Sequence, residues 1–202
     1  GFNEGWRARQ DSFWHYFQSS GFRRNYNHAF YAVSSSLGKY TSWTDDNFNP
    51  KYPIICTEGL SAEYMLAGSN VTQIDVPVKI LVGSCARAFF NNPLLHTIKS
   101  LEVSEKTTFT GWFDGHTSLT NITIKGVIGN SISFKDCPLS LESALSVINA
   151  LEHNVSWDKY LNISFSSATI ALLDEAGDIF FDLMGENRLA WWEYLATIGW
   201  NS

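Results

Sequence analysis

The sequence predicts an α/β fold: one 202-residue domain built as a short repeat solenoid, with helical, aromatic-rich segments covering its two ends. Three observations predict it. The segments AEYMLAGSNVTQIDV, ARAFFNNPLLHTIKSLEV and TGWFDGHTSLTNITI share one order of residues. Their anchors keep a near-fixed period: Leu66, Phe90 and Phe113 lie 24 and 23 apart, and Ile74, Ile98 and Ile122 lie 24 and 24 apart. Aromatic residues also crowd both termini, where a stack of units needs its apolar ends covered.

The elements follow in three parts. Residues 1–33 read as a helical N-terminal cap, because Trp6, Phe13 and Phe17 recur at steps of seven and four, the spacing of one helix face, before Gly21 stops the helix. Residues 34–126 hold about three to four repeats of period 23–24. Their first stretch, Ser34 to Gly59, reads as loop and short strand, and a degenerate earlier copy sits around Phe30. Within each clear unit Gly68, Asn92 and Gly115 follow the Leu66, Phe90 and Phe113 anchors by two residues, and all three are types that tolerate a left-handed turn. One unit cannot bury its own apolar side, so the units are expected to stack, with a short strand from each lying in a common sheet.

Residues 127–202 read as an α/β C-terminal cap. Val127 to Phe134 is expected as a strand. Ser140 caps a helix to about Leu151, with Leu141, Leu145, Ile148 and Leu151 on one face. Leu161, Ile163 and Phe165 alternate as a strand, and Ser167 is read as the cap of a second helix over Ala168 to Leu183. Gly185 separates it from a last helical run, Leu189 to Ile198, bearing Trp191, Trp192 and Tyr194 and followed by Trp200.

Composition bounds the function. Fourteen basic residues against 20 acidic ones give a net charge of −6, which speaks against a partner held by phosphate electrostatics, so no nucleic acid is expected. Charged residues make up 17% and aromatic residues 15%, a balance that excludes disorder and supplies much rigid apolar surface. Cys56, Cys85 and Cys137 are too few and too widely spaced for a disulfide framework or a zinc ribbon. The apolar runs Val76 to Val82 and Trp191 to Trp200 are too short for a membrane span. The chain starts at Gly1 with neither methionine nor a signal-peptide pattern, which leaves room for an N-terminal continuation.

The unit FDGHTSLTNITI resembles the BspA-type leucine-rich repeat, whose usual form is close to F-x-G-C-x-S-L-T-x-I-x-I. FWHYFQSSGFRRNYNHAF, FNPKYPI and YMLAGS look like a subgroup of such proteins from gut bacteria and their phages. LTNITIKGVIGNSISFKDCPLSLESALSVINAL, with the closing tryptophan-bearing helix, is similar to the capping region of that subgroup. Three departures stand out: His116 occupies the cysteine slot of the repeat, Asn92 the glycine slot, and the ending IGWNS differs from the usual form. The resemblance implies a leucine-rich-repeat solenoid on a bacterial cell surface, secreted, or on a phage particle. It implies binding of a protein or glycan, not catalysis, or else assembly with copies of itself or neighbouring virion proteins.

The alternation of a repeat strand places its apolar residues inward and the intervening ones on the open sheet face. That face is expected to carry Gln73 and Asp75, then Thr97 and Lys99, then Asn121, Thr123 and Lys125, a polar ladder able to grip a ligand by hydrogen bonds. Among the aromatic residues Tyr40, Trp43, Tyr64 and Trp112 sit in or beside predicted turns. Trp112, which aligns with Met65 and Phe89, is read as packing, whereas Trp43, in the polar loop Thr41 to Asn49, is the preferred exposed contact and Tyr40 its neighbour.

Asp114 and His116 invite an acid–base or metal reading, but both belong to the repeat turn and no second ligand cluster is visible, so neither a catalytic nor a metal site is expected, and no cofactor. Cys85 and Cys137 read as small buried turn residues. The glycosylation patterns at Asn70, Asn121, Asn154 and Asn162 are read as chance. Residues 174–193 hold six acidic residues against Arg188, a net of −5, while residues 1–24 hold four arginines against Glu4 and Asp11. That asymmetry suits a solvated helix face or a head-to-tail contact between copies, so a homo-oligomer stays open.

Overall fold

A computed structural model describes residues 49–153, 156 and 159–202 of the chain. The expected N-terminal helix, the degenerate copy around Phe30, and both Tyr40 and Trp43 lie outside these residues. Within them the chain winds as a β-solenoid of about three turns. Its strands are β1 (Ile54–Cys56), β2 (Gln73–Ile74), β3 (Val78–Ile80), β4 (Thr97–Val103) and β5 (Asn121–Gly126). All pair in parallel. Gln73, Thr97 and Asn121 stand in register, as do Val78, Leu101 and Ile124, so each turn advances the chain by 23 or 24 residues. The β4–β5 register shifts between Ile98 and Leu101, a bulge that reconciles the two spacings.

The turns stack through left-handed residues. Tyr64, Arg87 and Gly111 form one row with φ of 52°, 54° and 66°, and Gly68, Asn91 and Gly115 form another with φ of 64°, 53° and 77°. This corrects the repeat frame by one residue in its middle unit. The glycine-like position is Asn91, not Asn92, and the core anchor beside Leu66 and Phe113 is Phe89, which is fully buried, while Phe90 is only half-buried. Trp112 therefore matches Met65 and Ala88. The paired asparagines at 91 and 92 and the paired phenylalanines at 89 and 90 make the two alignments nearly equal on residue type, and only backbone conformation separates them.

After β5 come β6 (Ile132–Phe134), α1 (Leu141–Asn149), β7 (Leu161–Phe165), α2 (Ser167–Ala176), β8 (Phe180–Phe181), β9 (Arg188–Leu189), α3 (Trp191–Ile198) and β10 (Trp200–Asn201). The parallel strands β10, β7 and β6 form a second sheet in that order, and β8 and β9 form an antiparallel hairpin. The strand expected over Val127–Phe134 is shorter. Ile128 makes one bridge to Leu151, and the Asn130 side-chain Nδ2 then donates to the carbonyls of Glu105 and Thr107 at 3.0 and 2.9 Å, which ties the chain to the preceding turn instead of a strand.

Ser140 caps α1 as expected, its hydroxyl accepting from the Ser143 amide at 3.3 Å. The buried stripe is Ala144, Val147 and Ile148, with Leu141 and Leu145 half-buried. The long helix expected over Ala168–Leu183 is a correction. Its cap is Ser166, and Gly177 at φ +68° ends it after Ala176. The rest of that stretch folds as the hairpin, and Gly185 lies in its turn, so the last helix begins at Trp191.

Aromatic rings run through the core as a spine. Phe89 stacks on Phe113 (ring centroids 5.9 Å apart), Phe113 on Phe134 (4.6 Å) and Phe134 on Phe165 (6.2 Å), and Phe165 meets Trp191 edge-on at 6.1 Å. Such pairs add about 0.5–1.5 kcal/mol each beyond the area they bury. The spine joins the repeat turns to the second sheet in one continuous apolar cluster.

Candidate functional site

On the outer face of the first sheet three rows of side chains cross the strands. Gln73, Thr97 and Asn121 form the first row by register, and Asp75, Lys99 and Thr123 follow them two residues on. Ile55, Lys79, Glu102 and Lys125 form the third. The alternation that exposes them is visible along β5, where Asn121, Thr123 and Lys125 are exposed and Ile122 and Ile124 buried. All seven described residues expected on this face are there.

Neighbours order part of the face. Gln73 donates to the Asp75 carboxylate at 2.9 Å, and the Lys79 ammonium meets Glu102 at 2.7 Å. Thr97 shares a 2.9 Å hydrogen bond with His96. These pairs are exposed and contribute little to stability, about 0–1 kcal/mol, so they shape the surface more than they hold the fold.

Four of the expected residues come together in one concavity. A cleft of about 170 Å³ is lined by Thr97, Ile98, Lys99, Asn121, Ile122 and Thr123, with Glu142 and Ser143 closing it from the first turn of α1. Gln73, Asp75 and Lys125 lie on the same face but outside the cleft. Sequence reasoning missed Glu142 and Ser143 because it treated α1 as a separate element. The available signal was spacing, since Ser143 follows Ile122 by 21 residues, close to the repeat step.

The cleft exists because α1 lies where a further strand would run. Ser143 Oγ accepts from the Ile122 amide, and Ser146 Oγ from the Ile124 amide, each at 2.9 Å. Two serine hydroxyls thus satisfy main-chain donors on the open edge of β5, and the helix N-terminal turn sits above Thr123 and Asn121. The lining offers hydroxyl, amide, one ammonium and one carboxylate group. Such a set orients a polar ligand by hydrogen bonds at fixed spacing.

The other expected positions resolve differently. Trp112 is buried, its indole N–H donating to the Cys85 carbonyl at 2.6 Å. Tyr64 is half-buried, with Arg87 donating to its hydroxyl at 2.7 Å. His116 is fully buried in the turn stack, edge-on to Phe113, with Nε2 against the Phe89 carbonyl. A carbonyl only accepts, so Nε2 carries the proton, and the buried Nδ1 has no partner among the described residues. Burial pushes the His116 pKa down to about 4, against the opposing pull of that carbonyl and of Asp114 and Asp136.

All three thiols are buried, and desolvation pushes Cys56 up to about 11 and Cys137 up to about 12 and raises Cys85. Among the described residues no three His, Cys, Asp or Glu side chains converge, and no helix is long and apolar enough to cross a membrane. Sequence reasoning singled out residues 174–193 for their charge and missed the apolar surface among them. The β8–β9 hairpin holds Phe181, Leu183 and Met184 exposed, with Met184 at 80%, on a turn knotted around the Asp182 carboxylate.

No family model, no curated protein and no solved structure matches the chain.

Proposed function

We propose that the chain is a non-enzymatic recognition module, a leucine-rich-repeat solenoid of the BspA type with covered ends, displayed on a bacterial surface or a phage particle. It binds a protein or glycan through the outer face of its first sheet. The observation that carries this reading is the cleft in which Thr97, Lys99, Asn121 and Thr123 converge with Glu142 and Ser143. Four strand residues from two successive turns and two helix residues present different hydrogen-bonding groups around one concavity. Repeat proteins commonly bind through an extended face of this sort.

The test is a glycan array with cell-binding assays, comparing the wild type with Lys99→Glu, Thr123→Arg and Trp43→Ala. A ligand lost in Lys99→Glu and Thr123→Arg places recognition in the cleft, and one lost only in Trp43→Ala moves it to the preceding loop. A wild type that binds nothing in either assay overturns the reading.

A second reading is favoured by the exposed Phe181, Leu183 and Met184 on a segment with a net charge of −5. It makes the chain an assembly component that contacts its own copies or neighbouring virion proteins. Light scattering decides between them, since a monodisperse oligomer supports assembly and a monomer at high concentration removes it.

A further inference from the structure

Outside the sheet-face cleft, Gln73 pairs with Asp75 and Lys79 with Glu102. Inside it Lys99, Thr123 and Glu142 are exposed, and their side chains make no hydrogen bond or ion pair among the described residues. Asn121 donates through Nδ2 to Thr120 and leaves its Oδ1 without such a partner. An ammonium and a carboxylate thus line one concavity without meeting.

Their elements hold the two charges apart. Ile98 pairs with Ile122 and Leu101 with Ile124, so Lys99 and Ser100 of β4 both stand against Thr123 of β5. Such a bulge re-aims side chains beside binding sites, and Lys99 lines the cleft at this one. Glu142 stands on the other side of β5, in the first turn of α1, where the helix N-terminus favours its charge. The cleft therefore has a positive side and a negative side, with Asn121 and Thr123 between them.

The lining also bears on the class of ligand. Its only apolar residues, Ile98 and Ile122, are buried, and no aromatic ring lines it. A sugar ring carries an apolar face beside its hydroxyls and finds no ring here to stack on. At about 170 Å³ the cleft is smaller than the roughly 300–1,000 Å³ of sites for a whole small ligand, and suits the ends of two side chains on something larger.

We propose that the cleft docks a partner protein at a pair of opposite charges, a carboxylate that meets Lys99 and an ammonium or guanidinium that meets Glu142. The inference rests on the reading of this cleft as the binding site and narrows its ligand to protein. Paired charges of this kind fix orientation and choice of partner more than affinity, because a partner with one charge leaves the other side of the cleft desolvated and unpaired.

The test titrates the full chain with capped pentapeptides that carry one Glu and one Lys, one to four positions apart, and with their Glu-only and Lys-only versions. Amide shifts at Lys99, Thr123 and Glu142 are the readout. Peptides with both charges at one of these spacings are expected to shift them, and removing either charge weakens binding about fivefold, the worth of one exposed ion pair. Lys99→Glu and Glu142→Lys each lose the preference for both charges, and the double variant regains it. Lys135→Glu, the same charge change on an exposed residue outside the cleft, leaves the preference intact. Silent peptides, a one-charge peptide that binds as well as the pair, or a double variant as weak as the single ones overturns the proposal. A glycan lost in Lys99→Glu while the peptides stay silent keeps the cleft as the binding site and removes the protein partner; silence in both experiments removes the two readings together.

Discussion

The Asn92 side chain reaches back one turn to Ser69, its Oδ1 accepting from the Ser69 amide at 2.9 Å and from the Ser69 hydroxyl at 2.7 Å. Its Nδ2 donates to the Phe89 carbonyl at 2.7 Å. Both residues are buried, so one amide satisfies three groups that water cannot reach. Asn92→Leu strands the Ser69 amide and hydroxyl, while the Phe89 carbonyl keeps His116, and is expected to cost about 2–4 kcal/mol in urea unfolding, whereas Ser69→Ala costs about 1 kcal/mol. The double variant should cost less than the sum of the two, because the second substitution removes groups the first has already stranded.

His116, one position after Gly115 as Asn92 is after Asn91, gives the same site a titrating group. Its folded pKa of about 4 lies below the ordinary 6.5, so the unfolded chain binds the proton more readily. The contribution is constant above pH 6.5, falls as pH drops towards 4, and is fully lost below it, a change of roughly 3 kcal/mol. Urea midpoints measured across that window for wild type and His116→Cys check this. The difference between the two profiles should carry the slope, and parallel profiles would contradict the assignment.

Ser143 and Ser146 stand in for a missing strand on the edge of β5. Ser146→Ala is expected to cost about 1 kcal/mol and the Ser143→Ala, Ser146→Ala double variant about 2–3 kcal/mol, since each leaves a strand amide without its acceptor. The double variant should also aggregate sooner on mild heating, because an edge whose donors are unsatisfied is a template for pairing. Thioflavin binding over time is the readout, and a wild-type lag would argue that α1 shields the edge by packing alone.

The solenoid was legible in the sequence because the inward isoleucines at 74, 98 and 122 recur without insertion, and burial of one side of each strand fixes their register. The face residues followed from the same alternation. What the sequence obscured has physical causes. Phe89 and Phe90 differ only in the backbone angles around them, so residue type placed the middle anchor one position off. The α2 pattern continued past Gly177 in apolar content, yet a glycine at φ +68° ends a helix whatever follows. Glu142 and Ser143 entered the cleft through α1 packing against β5, a tertiary contact whose one trace in the sequence, the 21-residue step from Ile122 to Ser143, falls short of the 23–24-residue period.

Gly126 closes β5, where the regular repeats end, in a left-handed conformation that its strand neighbour Val103 does not share. At φ +82° it adopts a conformation costly for other residues, and a Cβ there would stand 2.0 Å from the Val103 carbonyl oxygen of the neighbouring strand. Gly126→Ala must either break the β4–β5 pairing at Val103 or push the strands apart, and is expected to cost about 3 kcal/mol or more. Gly185 is the control. It has φ +73° but nothing within 4 Å of its would-be Cβ, so Gly185→Ala should show only the conformational cost, about 1–2 kcal/mol. Thermal unfolding of both variants separates clash from strain. Equal losses would mean that the sheet yields at Val103 without resistance.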